Sequence, residues 1–200
     1  MTPNIPPKRG YDDSWPPVRG DYVIGCPESG VAVVTLGSQL AVEGAALFGP
    51  CKTENLGVEK IVTNVISNCN IRFLLLCGAE SKGHLPGNTI LALHKNGIDG
   101  QGRIVGSKGA IPFIQNIPPE AVSRFQEQVQ VIDRIGCEDK VLIGQLVEKY
   151  NSIAEPFAEE PFQVVKKRIK AAALEAGEGD LFLGSGAVMD TSCWLVSMEG

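Results

Sequence analysis

The chain has 200 residues, a formal net charge of −5 and 20% charged side chains. That length suits one domain with a full core, the acidic balance leaves no basic stripe for nucleic acid, and no run approaches the ~18 apolar residues of a membrane-crossing helix. Aromatics are 6% of the chain against 23 glycines, so the core must be aliphatic and the loops rich in glycine.

Met1 to Pro17 is polar and carries Pro3, Pro6, Pro7, Pro16 and Pro17. It reads as an extended arm over residues 1–20, without the apolar segment of an export signal. Val31 to Leu36 is a β-branched run and predicts a buried strand, followed at once by Gly37-Ser38. The apolar stretch from Leu40 to Leu47 reads as a helix. Leu56, Val58, Ile61, Val62, Val65 and Ile66 recur at helical spacing, which predicts an amphipathic helix to about Ser67. Ile71 to Cys77 is nearly all apolar, the mark of a strand covered on both faces in a parallel sheet.

Beyond that strand runs the loop Gly78 to Gly87, then a helix expected from an Asn88 cap to a stop at Gly97. Residues 97–117 are irregular and rich in glycine. Pro118-Pro119 leads a short helix from Glu120, Val129 to Ile132 is a further strand, and Asp139 opens a helix to about Tyr150. Residues 161–176 read as helical, with Lys166-Lys167-Arg168 on a solvated face. A Gly184-Ser185-Gly186 turn inside 180–198 predicts a hairpin. Strands alternating with helices define a three-layer, Rossmann-like α/β fold, doubly wound on a mostly parallel sheet, as a single domain over 21–200.

The six cysteines are scattered with no C-x-x-C pair. They read as reduced thiols in a cytoplasmic protein, and their spacing speaks against a zinc or iron–sulfur site. The two histidines have different settings. His94 lies near the end of its helix, where a cation suits the dipole. His84 lies in a glycine-rich loop after the most apolar strand, and ligands of open α/β sheets bind in such loops. Gly83 and Gly87 clear space for a flat ligand, Pro86 stiffens the segment, and a neutral imidazole is a common metal donor. Helix capping by His84 in a tight loop is the plain structural alternative.

Three stretches carry a resemblance: Asn70 to Gly78, Lys82 to Gly87, and Leu91 to Ile98, supported by Val33 to Ser38 and Asp99 to Gly106. Together they resemble the A subunit of tetrahydromethanopterin S-methyltransferase over most of residues 15–175. The resemblance implies a corrinoid (cobamide, B12-type) cofactor, with His84 as lower axial ligand to its cobalt. It implies a methyl group carried from N5-methyl-tetrahydromethanopterin to coenzyme M, with both substrates held by other subunits of a sodium-pumping membrane complex. His84 would leave and rejoin cobalt once per cycle, a movement available to drive sodium export. The isolated chain is then a carrier at the cytoplasmic face of the membrane, its methyltransferase activity belonging to the complex. Members of that family often end in a membrane helix, whereas this chain reaches Gly200 through a tail containing Trp194; a removed anchor and a free-standing homologue both stay open.

The cofactor pocket is expected in the loops after the two main strands. His84, Gly83, Leu85, Pro86, Gly87, Gly37 and Ser38 form its core, with Gly78 and Ala79 beside them. Other corrinoid domains carry D-x-H-x-x-G, in which the aspartate supports the histidine. Here Lys82 holds that position, so a backbone carbonyl, a water or Glu80 is expected to tune the imidazole, and a weaker bond to cobalt is expected with it. A nucleotide-binding α/β enzyme is the competing class, but Gly100-x-Gly102-x-x-x-Gly106 has the wrong spacing and follows a helix. A scaffold that has lost its cofactor is the third.

Overall fold

The computed structural model describes residues 10–81 and 83–164, and beyond them the strand backbones 181–182, 187–190 and 195–198. The chain falls into two compact units, Met1–Val164 and Val165–Gly200. In the first unit the elements run β1 (Val23–Ile24), β2 (Val31–Val34), β3 (Leu47–Gly49), α1 (Leu56–Ile66), β4 (Phe73–Leu76), α2 (Pro86–Asn96), α3 (Pro119–Gln128), β5 (Gln130–Asp133) and α4 (Lys140–Asn151).

The sheet order is β1-β3-β2-β4-β5. β3, β2, β4 and β5 are parallel, and β1 closes one edge antiparallel to β3. The expected strands 31–36 and 71–77 are direct neighbours, with Val31 opposite Phe73 and Val34 opposite Leu76. Side chains alternate across a strand, and here both faces are apolar. Ala32, Val34, Leu74 and Leu76 pack with Val58, Val62, Leu93 and Phe125 of α1, α2 and α3. Val31, Val33, Leu75 and Ile132 pack with Ile143, Leu146 and Val147 of α4. Helices therefore cover both faces, which makes the three layers of a doubly wound sheet. Each fully buried leucine, isoleucine or valine contributes about 1.5–3 kcal/mol of transfer free energy to that core.

Two local expectations are corrected. Leu40 to Leu47 is not a helix: Gly44 takes φ +77°, and the segment runs irregularly into β3. Ala46 N donates to Val31 O, and Cys26 N to Ala45 O, so this backbone is spent on strand neighbours. Asn88 does not cap α2 either; it lies inside the helix, which starts with Pro86 at its first turn. Proline is favoured there because its missing N–H would have no helical partner. Gly97 ends α2 at φ +68° as expected, and Asp139 caps α4 by accepting from Val141 N and Leu142 N.

Trp15 and Val18, in the described part of the arm, are held against α1. Trp15 Nε1 donates to Asn64 O at 2.8 Å, and the Asn64 amide exchanges two hydrogen bonds with the Val18 backbone at 2.9 Å. In the second unit β6 (Leu181–Phe182), β7 (Ala187–Asp190) and β8 (Leu195–Met198) form an antiparallel sheet, adding one strand to the expected hairpin. Residues 161–164 are not helical; the rest of the helix expected over 161–176 lies outside the described residues.

Candidate functional site

The carboxyl ends of β2, β3 and β4 deliver three loops to one edge of the sheet. The loops after β2 and β4 are laced together. Gly37 N donates to Ala79 O at 2.8 Å, Ala79 N donates to Ser38 Oγ at 2.9 Å, and Ser38 Oγ donates to Glu138. Gly78 is required by this joint: its φ is +77°, and a Cβ would sit 2.2 Å from Thr35 O. Leu36, fully buried, takes φ +49° just before Gly37, a conformation that costs a non-glycine residue about 1–2 kcal/mol.

His84 lies in the loop between β4 and α2, at the expected edge. Its Nδ1 is 2.7 Å from Oε2 of Glu54, in the loop between β3 and α1. The histidine side chain is 47% exposed and the glutamate 1%. An ionised carboxylate only accepts, so Nδ1 carries the proton and the neutral ring keeps its lone pair on Nε2. Among the described residues no hydrogen bond reaches Nε2. Before His84, Gly83 takes φ +78°, and beyond its two chain neighbours no atom among the described residues lies within 4 Å of where its Cβ would be. A side chain there would be strained by the backbone.

Glu54 is fixed from its other side as well: Oε1 accepts from Ile111 N at 2.8 Å. Burial alone would raise its pKa. The amides of Ile111 and of Glu54 itself, together with His84, outweigh burial and hold the carboxyl below the usual range. The partner of the imidazole, expected to be a backbone carbonyl, a water or Glu80, is the carboxylate of Glu54. Glu80 has another task. Its carboxylate accepts from Gly87 N at 3.1 Å and Asn88 N at 2.7 Å, and so caps α2. With Glu54 in place the imidazole has an anionic partner. The sequence pattern does not reveal position 54, because it is far from His84 in the chain and follows β3, a strand whose approach resembles a helix. A carboxylate in a loop at a parallel strand's carboxyl end is the one signal available.

The other expected residues divide into two groups. Gly37, Ala79, Gly83 and His84 are exposed at this edge, and Ser38 and Leu85 are half-buried. Gly78, Pro86 and Gly87 are buried. A Cβ on Gly87 would meet Ile135 Cδ1 at 2.8 Å, a Glu80 oxygen at 2.9 Å and Leu36 Cδ1 at 3.0 Å. Glycine at 87 thus serves protein packing. His94 is also a packing residue: Nε2 is 2.6 Å from Val129 O, and the ring meets Phe125 edge-on at 5.6 Å. Lys82 lies outside the described residues.

Among the described residues no three His, Cys, Asp or Glu side chains converge. What the edge offers is one nitrogen donor, oriented by a buried carboxylate and open on its far side. That donor set fits a metal already held in a macrocycle, which lacks only an axial ligand.

The fold and the edge site define a Rossmann-like α/β protein with an exposed, carboxylate-paired histidine at the carboxyl edge of its sheet. Residues 8–173 match the family model for the A subunit of tetrahydromethanopterin S-methyltransferase, and the chain belongs to that family. The A subunit of a putative methyltransferase, Mtx, of Methanosarcina acetivorans is 53% identical over 188 residues, covering 93% of this chain and 95% of the relative. The second tetrahydromethanopterin S-methyltransferase A-type subunit of Methanothermobacter marburgensis is 53% identical over 145 residues, covering 70% of this chain and 78% of the relative. The first A-type subunit of the same enzyme in Methanobrevibacter ruminantium is 58% identical over 137 residues, covering 66% of this chain and 56% of the relative. Among the described residues no helix is long and apolar enough to cross a membrane.

Proposed function

We propose that this chain is the corrinoid-carrying subunit of a methyltransferase complex, with His84 as the protein's axial ligand to cobalt. The observation that carries this reading is the Glu54–His84 pair, which fixes Nδ1 as the protonated nitrogen and leaves Nε2 open. When bound, the corrinoid supplies a cobalt that accepts and gives up a methyl group. The chain's own contribution is orientation. Glu54 sets the tautomer and raises the basicity of the ring. Gly83 supplies the positive φ that the loop takes just before His84. The Ser38–Ala79–Gly37 lacing holds the neighbouring loops at a fixed spacing.

The family's methyl donor and acceptor, N5-methyl-tetrahydromethanopterin and coenzyme M, are taken by other subunits at the cytoplasmic face of the membrane. The isolated chain then turns over neither. A second reading, favoured by the near end-to-end match to the Mtx relative, places the same carrier in an Mtx-type methyltransferase with a different methyl donor. Supplying methyl-tetrahydromethanopterin to the assembled complex separates the two.

Reconstitution tests the carrier reading. The purified protein is incubated with hydroxocobalamin, freed of excess cofactor, and its visible spectrum recorded. A stoichiometric bound corrinoid with an imidazole-coordinated spectrum is expected. A colourless protein that retains nucleotide would contradict the reading.

A further inference from the structure

Residues 107–111, in the irregular stretch between α2 and α3, hold Glu54 by the oxygen that His84 leaves free. Ile111 N donates to Oε1 at 2.8 Å, while His84 Nδ1 meets Oε2. A Cβ on Gly109 would lie 2.9 Å from Glu54 Cγ, 3.0 Å from Glu54 Cβ and 2.9 Å from Thr89 Oγ1. Gly109 is not among the glycines with positive φ; its close approach to these two side chains is its reason to be glycine.

The same segment is anchored on α2, the helix that the His84 loop leads into. Lys108 N donates to Asn88 Oδ1 at 2.9 Å, and Gly109 N donates to Ser107 Oγ at 3.1 Å. Ser107 Oγ is 2.7 Å from Thr89 Oγ1, and Thr89 gives its one hydroxyl proton to Leu85 O at 2.8 Å. Ser107 is therefore the donor to Thr89. Two routes run from 107–111 to His84. One passes through Glu54 to the ring; the other passes through Ser107 and Thr89 to the carbonyl of Leu85, the next residue in the chain.

Resting on the carrier reading for its bearing on cobalt, we propose that 107–111 is a positioning strap. Gly109 and Ile111, braced by Ser107 on Thr89, hold the Glu54 carboxylate where it keeps the proton of His84 on Nδ1. They act through Glu54, not on the ring. A carboxylate shut away from water cannot satisfy its oxygens there, so it stays on the partners that the strap and the histidine supply. A displaced carboxylate would let the ring return to the Nε2–H form that neutral imidazole favours in water. That form has no lone pair on Nε2 for a metal.

Nitrogen-15 histidine in the cofactor-free, full-length protein tests the strap, because two-bond proton–nitrogen correlations distinguish the tautomers of a neutral ring. His94 is the internal reference: its Nε2 is 2.6 Å from Val129 O, so its neutral ring carries the proton there. In alkaline solution, where neutral rings are compared, wild type should show His84 as Nδ1–H and His94 as Nε2–H. Gly109→Ala and Ser107→Ala should each raise the Nε2–H to Nδ1–H ratio of His84 about two- to tenfold, the size of one hydrogen bond, and leave His94 as it is. Ser107→Ala adds no bulk, so it decides the matter if Gly109→Ala does not fold. Gly100→Ala, in the same stretch with no atom within 4 Å of its Cβ, should shift neither ring. After loading with hydroxocobalamin, the imidazole-coordinated fraction should fall in the two strap variants in step with the ratio. A His84 ratio unchanged in a folded strap variant, or changed as much by Gly100→Ala, would overturn the strap. Wild type that takes up no corrinoid would overturn the carrier reading and the strap's bearing on cobalt; the tautomer ratio, read without cofactor, would still show what holds His84.

Discussion

Nδ1 of His84 and Oε2 of Glu54 are 2.7 Å apart, joining a side chain that is 47% exposed to one that is 1% exposed. A solvent-facing imidazole is thereby held by a buried anion. The same carboxylate also accepts from Ile111 N, so it cannot swing away with the histidine.

Substitution at Glu54 separates charge from shape. Glu54→Gln should weaken His84 coordination of a bound corrinoid by about 10–100-fold, the usual range for a lost supporting carboxylate, measured as the imidazole-bound fraction. Glu54→Ala should in addition cost the cofactor-free fold about 1–3 kcal/mol, because the Ile111 amide loses its acceptor. The Glu54 pKa is depressed in the folded protein. Its stabilisation is therefore complete above the unfolded carboxylate value and is lost as pH falls through the folded one. The stability gap between wild type and Glu54→Gln, measured by denaturant titration, should be widest at neutral pH and close in acid.

Glu80 provides the contrast. Glu80→Ala removes the cap of α2 and should cost about 1 kcal/mol in a thermal melt, while the spectrum of bound corrinoid stays that of the wild type. A spectral change as large as that of Glu54→Gln would reverse the roles assigned to the two carboxylates.

The glycines of the His84 loop should respond in different ways. Gly87→Val places atoms against Ile135, Glu80 and Leu36, and overpacking of this kind costs about 1–3 kcal/mol. Its stability loss should appear without any cofactor. Gly83→Ala meets no neighbour and should cost about 1 kcal/mol through its positive φ alone, with any loss of corrinoid binding coming from bulk beside His84. Melting both apoproteins checks the order.

The layers and the position of His84 are legible in the sequence because their signals are local. Val31 to Val34 and Phe73 to Leu76 are short apolar runs, α1 repeats at helical spacing, and the loop carrying His84 follows directly on β4. The strand β3 is not legible. It has three residues, and its apolar approach from Leu40 resembles a helix face until Gly44 takes a positive φ. Losing β3 means losing the loop that carries Glu54, whose meeting with His84 exists only once β2, β3 and β4 lie side by side. The histidine can be read from a motif; its partner is a product of strand order. Gly87 shows the converse, a motif glycine whose reason lies beneath it in the packing of Leu36 and Ile135.

Thiol chemistry tests the core independently of any ligand. Burial pushes Cys51 and Cys77 up to about 12, which leaves a thiolate fraction of about 10⁻⁴ at pH 8. Cys26 is exposed. Mass-spectrometric mapping of iodoacetamide adducts on the native protein should find Cys26 modified early and Cys51 and Cys77 only after unfolding. Early modification of Cys77 would place the end of β4 outside the core.

The axial role of His84 is tested most directly by electron paramagnetic resonance of the cobalt(II) corrinoid on the protein, with nitrogen-15 histidine against nitrogen-14. Coordination by His84 predicts superhyperfine splitting from one histidine nitrogen that changes with the isotope in wild type and is lost in His84→Ala, while His94→Ala keeps it. Spectra that are the same for both isotopes, or unchanged by His84→Ala, would contradict it.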